Sequence, residues 1–142
     1  MYFKIPTYRN KTAGGVLQES NTVRCIRTLE ERTASGQRKQ VTVLTLNRWD
    51  QELPAQAQAL FTPEEIEQWA QWKIQHDEEH QRRQAERALS DIAHTLILAT
   101  QAVRNGEAPP EPLWPALNAF TAALRDAGHT QPPRPRGRPK KG

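Results

Sequence analysis

Thr62-Pro63-Glu64-Glu65-Ile66-Glu67-Gln68-Trp69 opens the stretch that decides the fold, because no further glycine or proline occurs before Asn105-Gly106. Threonine is a good N-cap, proline is preorganised for the first helical position, and Glu65 completes an S/T-x-x-E capping box with acids at the positive end of the helix. Asn105-Gly106 is a C-terminal stop. The stretch predicts a helix of about 43 residues, roughly 64 Å at ~1.5 Å per residue. A compact chain of this size has a radius of gyration near ~14 Å, so one continuous helix would project from its own domain.

The apolar positions divide that helix. Ile66, Trp69, Trp72 or Lys73, and Ile74 form an early patch suited to covering a sheet, while Leu89, Ile92, Ala93, Leu96, Ile97, Thr100 and Val103 form a later stripe at helical spacing. Gln75 to Arg87 is polar all round and reads as a bridge between packing units. After the Pro-rich turn Glu107 to Pro112, Leu113, Leu117, Phe120 and Leu124 recur at i, i+4, i+7 and i+11 up to Gly128, giving the later stripe an antiparallel helical partner. Two such helices expose more apolar surface than they bury, which predicts a homodimer closing a four-helix layer.

Upstream, β-branched composition takes over. Tyr2 to Arg9 reads as a first strand limited by Pro6, and Asn10 to Gly15 as a polar loop. Asn21 to Glu30 and Lys39 to Trp49 read as strands joined through Thr33-Ala34-Ser35-Gly36-Gln37. Residues 51–61 form a connector with a short helix from Pro54 to Leu60. The expected fold class is α+β: a small N-terminal antiparallel β-hairpin or three-stranded sheet, then a long helix and a helical hairpin, with a disordered basic C-terminal tail. The expected modules are 1–50, 51–128 and 129–142.

Charge follows the same division. Residues 1–50 carry nine Lys/Arg against four acids, 51–128 six against twelve, and 129–142 five against none, within a net charge of +4. Both ends are suited to an anion and the middle to water or protein. An apolar fraction of 36%, 11 prolines and a mean hydropathy of −0.84 predict a small core. The single Cys25, set among apolar strand residues, reads as a small buried hydrophobe that cannot form an internal disulfide. The N-terminus lacks the apolar run of a signal peptide, and no window approaches a membrane span. The expected location is cytoplasmic, associated with the nucleoid.

The most specific chemistry lies in Pro133-Arg134-Pro135-Arg136-Gly137-Arg138-Pro139-Lys140-Lys141, where five positive charges occupy eight positions without an acid. Alternating prolines with one glycine forbid a helix or a sheet ladder. The central Arg136-Gly137-Arg138-Pro139 resembles the AT-hook of high-mobility-group A chromatin proteins. The resemblance implies binding to AT-rich double-stranded DNA, with Arg134, Arg136, Gly137, Arg138, Pro139, Lys140 and Lys141 as the contact residues. The residues also explain the mode: glycine lets the backbone approach the groove floor, and the flanking arginines reach the acceptors of A·T pairs where G·C would interpose an amino group. A-tract minor grooves are narrow and strongly negative, which favours an inserted arginine.

A looser resemblance covers residues 3–75. Leu17-Gln18-Glu19-Ser20, the basic strand with Arg24 and Arg27, and Gly36-Gln37-Arg38-Lys39-Gln40-Val41-Thr42-Val43-Leu44-Thr45-Leu46 followed by Trp49-Asp50 resemble the N-terminal segment of certain DDE-type insertion-sequence transposases. The pattern departs where that family places a glycine, here Asn47 or Arg48. The catalytic acidic triad of those enzymes belongs to a longer RNase-H-like domain for which this chain has no room, so the resemblance implies at most a DNA-end-binding segment. Arg24, Arg27, Arg38 and Lys39 are the candidate secondary DNA contacts.

One constellation invites a catalytic reading, His76-Asp77-Glu78-Glu79-His80. Histidines at i and i+4 share a helix face and differ from H-E-x-x-H only by aspartate in the second position, but no third ligand is evident beyond His94 and His129. A solvated face with the pairs Glu78–Arg82 and Glu79–Arg83 is the plainer expectation. Phosphate-binding loops and nucleophile motifs are absent, and Trp49, Trp69, Trp72 and Trp114 read as packing anchors. The sequence therefore points to a non-enzymatic accessory, architectural or regulatory DNA binder of mobile-element type. It needs no cofactor or metal, and has neither a membrane nor a small-molecule partner. The alternatives are a protein-interaction scaffold with a non-specific polybasic tail, and a truncated transposase DNA-end-binding segment.

Overall fold

The computed structural model describes residues 1–133. They form an α+β fold of five strands and three α-helices: β1 (Tyr2–Lys4), β2 (Thr7–Asn10), β3 (Val16–Glu19), β4 (Thr22–Arg32), β5 (Arg38–Asn47), α1 (Ala55–Leu60), α2 (Pro63–Arg104) and α3 (Leu113–Asp126). The chain divides into two compact units, Met1–Arg87 and the residues from Ala88 onward. The first part of the long helix, up to Arg87, falls in the same unit as the sheet.

The main sheet has the order β1-β4-β5 and is antiparallel throughout. The single strand expected over Tyr2 to Arg9 is instead two, interrupted at Ile5-Pro6, because Pro6 has no N–H for a ladder. Its carbonyl accepts from Ser20 N at 2.7 Å, one step beyond the Thr7–Glu19 pair, and so extends the separate β2–β3 hairpin. The sequence reading missed β3, whose mostly exposed side chains give little hydrophobic alternation.

The β4–β5 hairpin is closed through Thr33 N to Gln37 O (2.7 Å) and Gly36 N to Thr33 O (2.9 Å). Gly36 has φ +81°, a backbone region open to glycine at little cost. Between the pairs Cys25–Leu44 and Ile26–Thr42, Val43 is extra on β5 and makes a bulge, while β4 keeps its alternation. Val23 and Cys25 therefore face one side of β4, and Arg24 and Ile26 the other.

On the inner side, Val23, Cys25 and Leu46 pack with Ala57 and Phe61 from α1 and its end, and with Trp69 of α2. Phe3 meets Trp69 edge-on at 5.4 Å and Trp72 at the same distance. The early helical patch covers the sheet as its spacing predicts, except that Ile74 is 60% exposed. Lys73 is buried instead, its Nζ donating to the Arg48 carbonyl (2.8 Å) and to Asp77 (3.0 Å).

The capping box is formed. Glu65 N donates to Thr62 Oγ1 at 3.3 Å, and Thr62 N donates to Glu65 Oε2 at 3.0 Å. At the other end of α2, Gly106 adopts φ +93° and Glu107 N donates to the Ala102 carbonyl at 3.1 Å, a Schellman-type closure.

The second unit differs in burial. No residue of α3 is buried, and all buried residues of α2 lie in its first unit: Glu65, Trp69 and Lys73. Ile92, Leu113, Leu117, Phe120 and Leu124 are half-buried. Leu89, Leu96, Ile97, Leu98, Val103 and Trp114 remain exposed.

Candidate nucleic-acid interface

The hook residues Arg134, Arg136, Gly137, Arg138, Pro139, Lys140 and Lys141 lie outside the described residues. The four secondary candidates, Arg24, Arg27, Arg38 and Lys39, lie within them, and the strands sort these to opposite sides of the sheet.

Arg27 points inward with Val23 and Cys25. Its Nε and a terminal nitrogen each donate to Glu65 at 2.7 Å, and it also donates to the Leu60 carbonyl at 3.2 Å. That guanidinium holds the Glu65 carboxyl below its ordinary range, against the opposing effect of burial. Arg27 is thus occupied in joining β4 to the start of α2. Lys39 faces Glu31 at 3.4 Å, both exposed at the far end of the hairpin.

Arg24 lies on the solvent side of the sheet. It is the cross-strand partner of Lys4 on β1 and of Thr45 on β5, and all three are exposed. In the next row Tyr2, Ile26 and Thr42 are partners, and the Tyr2 hydroxyl reaches across β4 to Gln40 Oε1 at 2.8 Å. Further along, Arg38 pairs with Arg32 across the hairpin, and both line a shallow concavity with Thr28 and Gln40. Arg32 donates to the Gly36 carbonyl at 2.8 Å. Lys4, Arg24, Arg32 and Arg38 have no ion-pair partner among the described residues. Lys4 and Arg32 were not among the sequence candidates, because their placement beside Arg24 and Arg38 depends on the cross-strand register.

The histidine stretch occupies a different place. His76 stacks on Trp72 at 4.8 Å, and Trp49 packs against both His76 (5.3 Å) and His80 (4.6 Å). The segment expected to cross solvent is therefore partly covered through Trp49. Arg48 lies over the Trp49 ring at 4.3 Å and pairs with Glu19 at 2.7 Å. That hydrogen bond, the largest influence on it, draws the Glu19 carboxyl below its usual range. Glu79 takes both Arg83 and Arg82, whereas the expected partner of Arg82 was Glu78.

Glu19, Arg48, His76, Glu79, His80 and Arg83 are among the residues lining a cleft of about 370 Å³ in which Arg48 and Arg83 each face Glu19. Among the described residues no group of three or more His, Cys, Asp or Glu is placed to hold a metal ion. No described helix is long and apolar enough to cross a membrane. Compared with known protein families, curated proteins and solved structures, the chain matches none.

Proposed function

We propose that this chain is a non-enzymatic, homodimeric DNA-binding protein that takes AT-rich duplexes through the hook sequence Arg136-Gly137-Arg138-Pro139. The observation that carries the reading is the tail's composition: five cations, no acid, and a glycine between two arginines. Affinity comes mainly from phosphate neutralisation, and preference from the arginines within a narrow A·T groove. Support for self-association is the group of exposed apolar residues on one side of the second unit's part of α2, Leu89, Leu96, Ile97 and Val103, which a second copy would cover.

The test is a titration of full-length protein and a variant lacking residues 129–142 against AT-rich and GC-rich duplexes at several salt concentrations. The reading requires a preference for A·T that disappears with the tail. Equal affinity for both duplexes would make the tail a plain polycation and favour the scaffold alternative.

A further inference from the structure

The solvent side of the β1-β4-β5 sheet carries cations at both ends and uncharged residues between them. Lys4 and Arg24 are cross-strand neighbours at one end, and Arg32 and Arg38 at the other. Between them lie Tyr2, Ile26, Thr28, Gln40 and Thr42. The exposed acids nearby are Glu30 and Glu31, in the irregular stretch between Thr28 and Arg32, and Glu31 is taken by Lys39. Lys39 sits beside Glu31 and Arg83 beside Glu79, whereas Lys4, Arg24, Arg32 and Arg38 have no carboxylate partner among the described residues and share one face of the sheet.

Spacing identifies the kind of anion. Arg24 and Arg32 are eight residues apart on β4, at most about 26 Å at ~3.3 Å per residue. No single phosphate or small carboxylate can span such a gap, whereas double-stranded DNA presents a charge every ~1.7 Å along its axis. The face carries a single aromatic, Tyr2, its hydroxyl held by Gln40, whereas proteins that take unpaired strands stack successive bases on several rings. An extended, base-paired polyanion is the better fit.

We propose that this sheet face is a second docking surface of the chain, on which Lys4, Arg24, Arg32 and Arg38 grip the phosphates of double-stranded DNA. The proposal rests on the DNA-binding reading above and gives it a contact independent of the tail. Because the contacts are to phosphates, they add affinity and salt dependence without base preference.

The test uses the full chain with Arg24→Gln and Arg38→Gln combined. Both side chains are exposed, so the melting temperature should stay at the wild-type value. Binding to a mixed-sequence duplex is then followed against salt concentration. At ~0.9 per phosphate contact, the slope of log K against log salt should fall by about 1.8, with the ratio of A·T to G·C affinities unchanged. Lys39→Gln, which removes a paired cation of the same hairpin, should leave the slope within about half of one contact of wild type. An unchanged slope in the double variant overturns the docking surface. So does a loss confined to RNA or to anionic vesicles, with duplex binding intact. The hook reading fails separately, by absence of an A·T preference in the unsubstituted protein, so the two failures are distinguishable.

Discussion

Arg27 on β4 and Glu65 at the start of α2 are joined by two hydrogen bonds of 2.7 Å, while the same carboxylate accepts from Thr62 N at 3.0 Å. One side chain therefore closes the helix cap and fastens the helix to the sheet. A carboxylate held below its ordinary pKa, normally near 4.5, contributes stability that is present above that value and lost as pH falls through the depressed folded value. Glu65→Gln should lower stability at pH 7 by about 1–3 kcal/mol, less than a fully buried pair because Arg27 is partly solvated. Thermal melts should show the gap between wild type and variant begin to narrow as pH falls below about 4.5, where the unfolded carboxyl protonates first. A gap that stays constant as pH is lowered through the acid range would assign the loss to packing rather than charge.

Cys25 has no solvent exposure, and its thiol is pushed up to about 11, first by burial and then by the Glu65 charge. At pH 8 the thiolate is on the order of a thousandth of the population, and it is shielded as well. Alkylation of the native protein should therefore be limited by unfolding and should accelerate sharply in denaturant. Prompt modification in native buffer would show that the sheet opens locally around β4.

What the sequence made legible is the chemistry of ends and patterns. Thr62-Pro63-Glu64-Glu65 announced a helix start that is realised atom by atom, and Thr33 to Gln37 announced the hairpin turn. Pairing across strands was less visible. Nothing local says that Arg27 turns inward and Arg24 outward until the register with β1 and β5 is fixed, and a one-residue shift would exchange them. For that reason the sequence could not show that Arg24 shares a face with Lys4, distant in sequence, while Arg27 lies on the other. The histidines at positions 76 and 80 looked solvated because the covering ring, Trp49, comes from beyond the end of β5.

Leu96 is 42% exposed on a helix that contributes no buried residue to the second unit. A charge placed there costs the isolated chain little, about 0.5 kcal/mol or less as for other surface changes, but would be expensive in an apolar dimer contact. Sedimentation should therefore show wild type associating at micromolar concentration and Leu96→Asp as a folded monomer. A monomeric wild type at high micromolar concentration would contradict the proposed assembly.

Five cations in residues 134–141 limit the tail's share of the salt slope to about −4.5 at ~0.9 per contact, and less if two arginines enter the groove rather than meeting phosphates. Arg136→Ala or Arg138→Ala should erase most of the A·T preference, whereas Lys140→Ala or Lys141→Ala should weaken all duplexes alike and lower the slope by about one unit. Gly137→Val separates shape from charge: every cation remains, but a β-branched side chain holds the backbone off the groove floor. That variant should retain binding to mixed duplex through the remaining phosphate contacts while losing its discrimination between A·T and G·C. If Gly137→Val instead keeps the wild-type preference, close backbone approach plays no part in recognition, and the tail contributes charge alone.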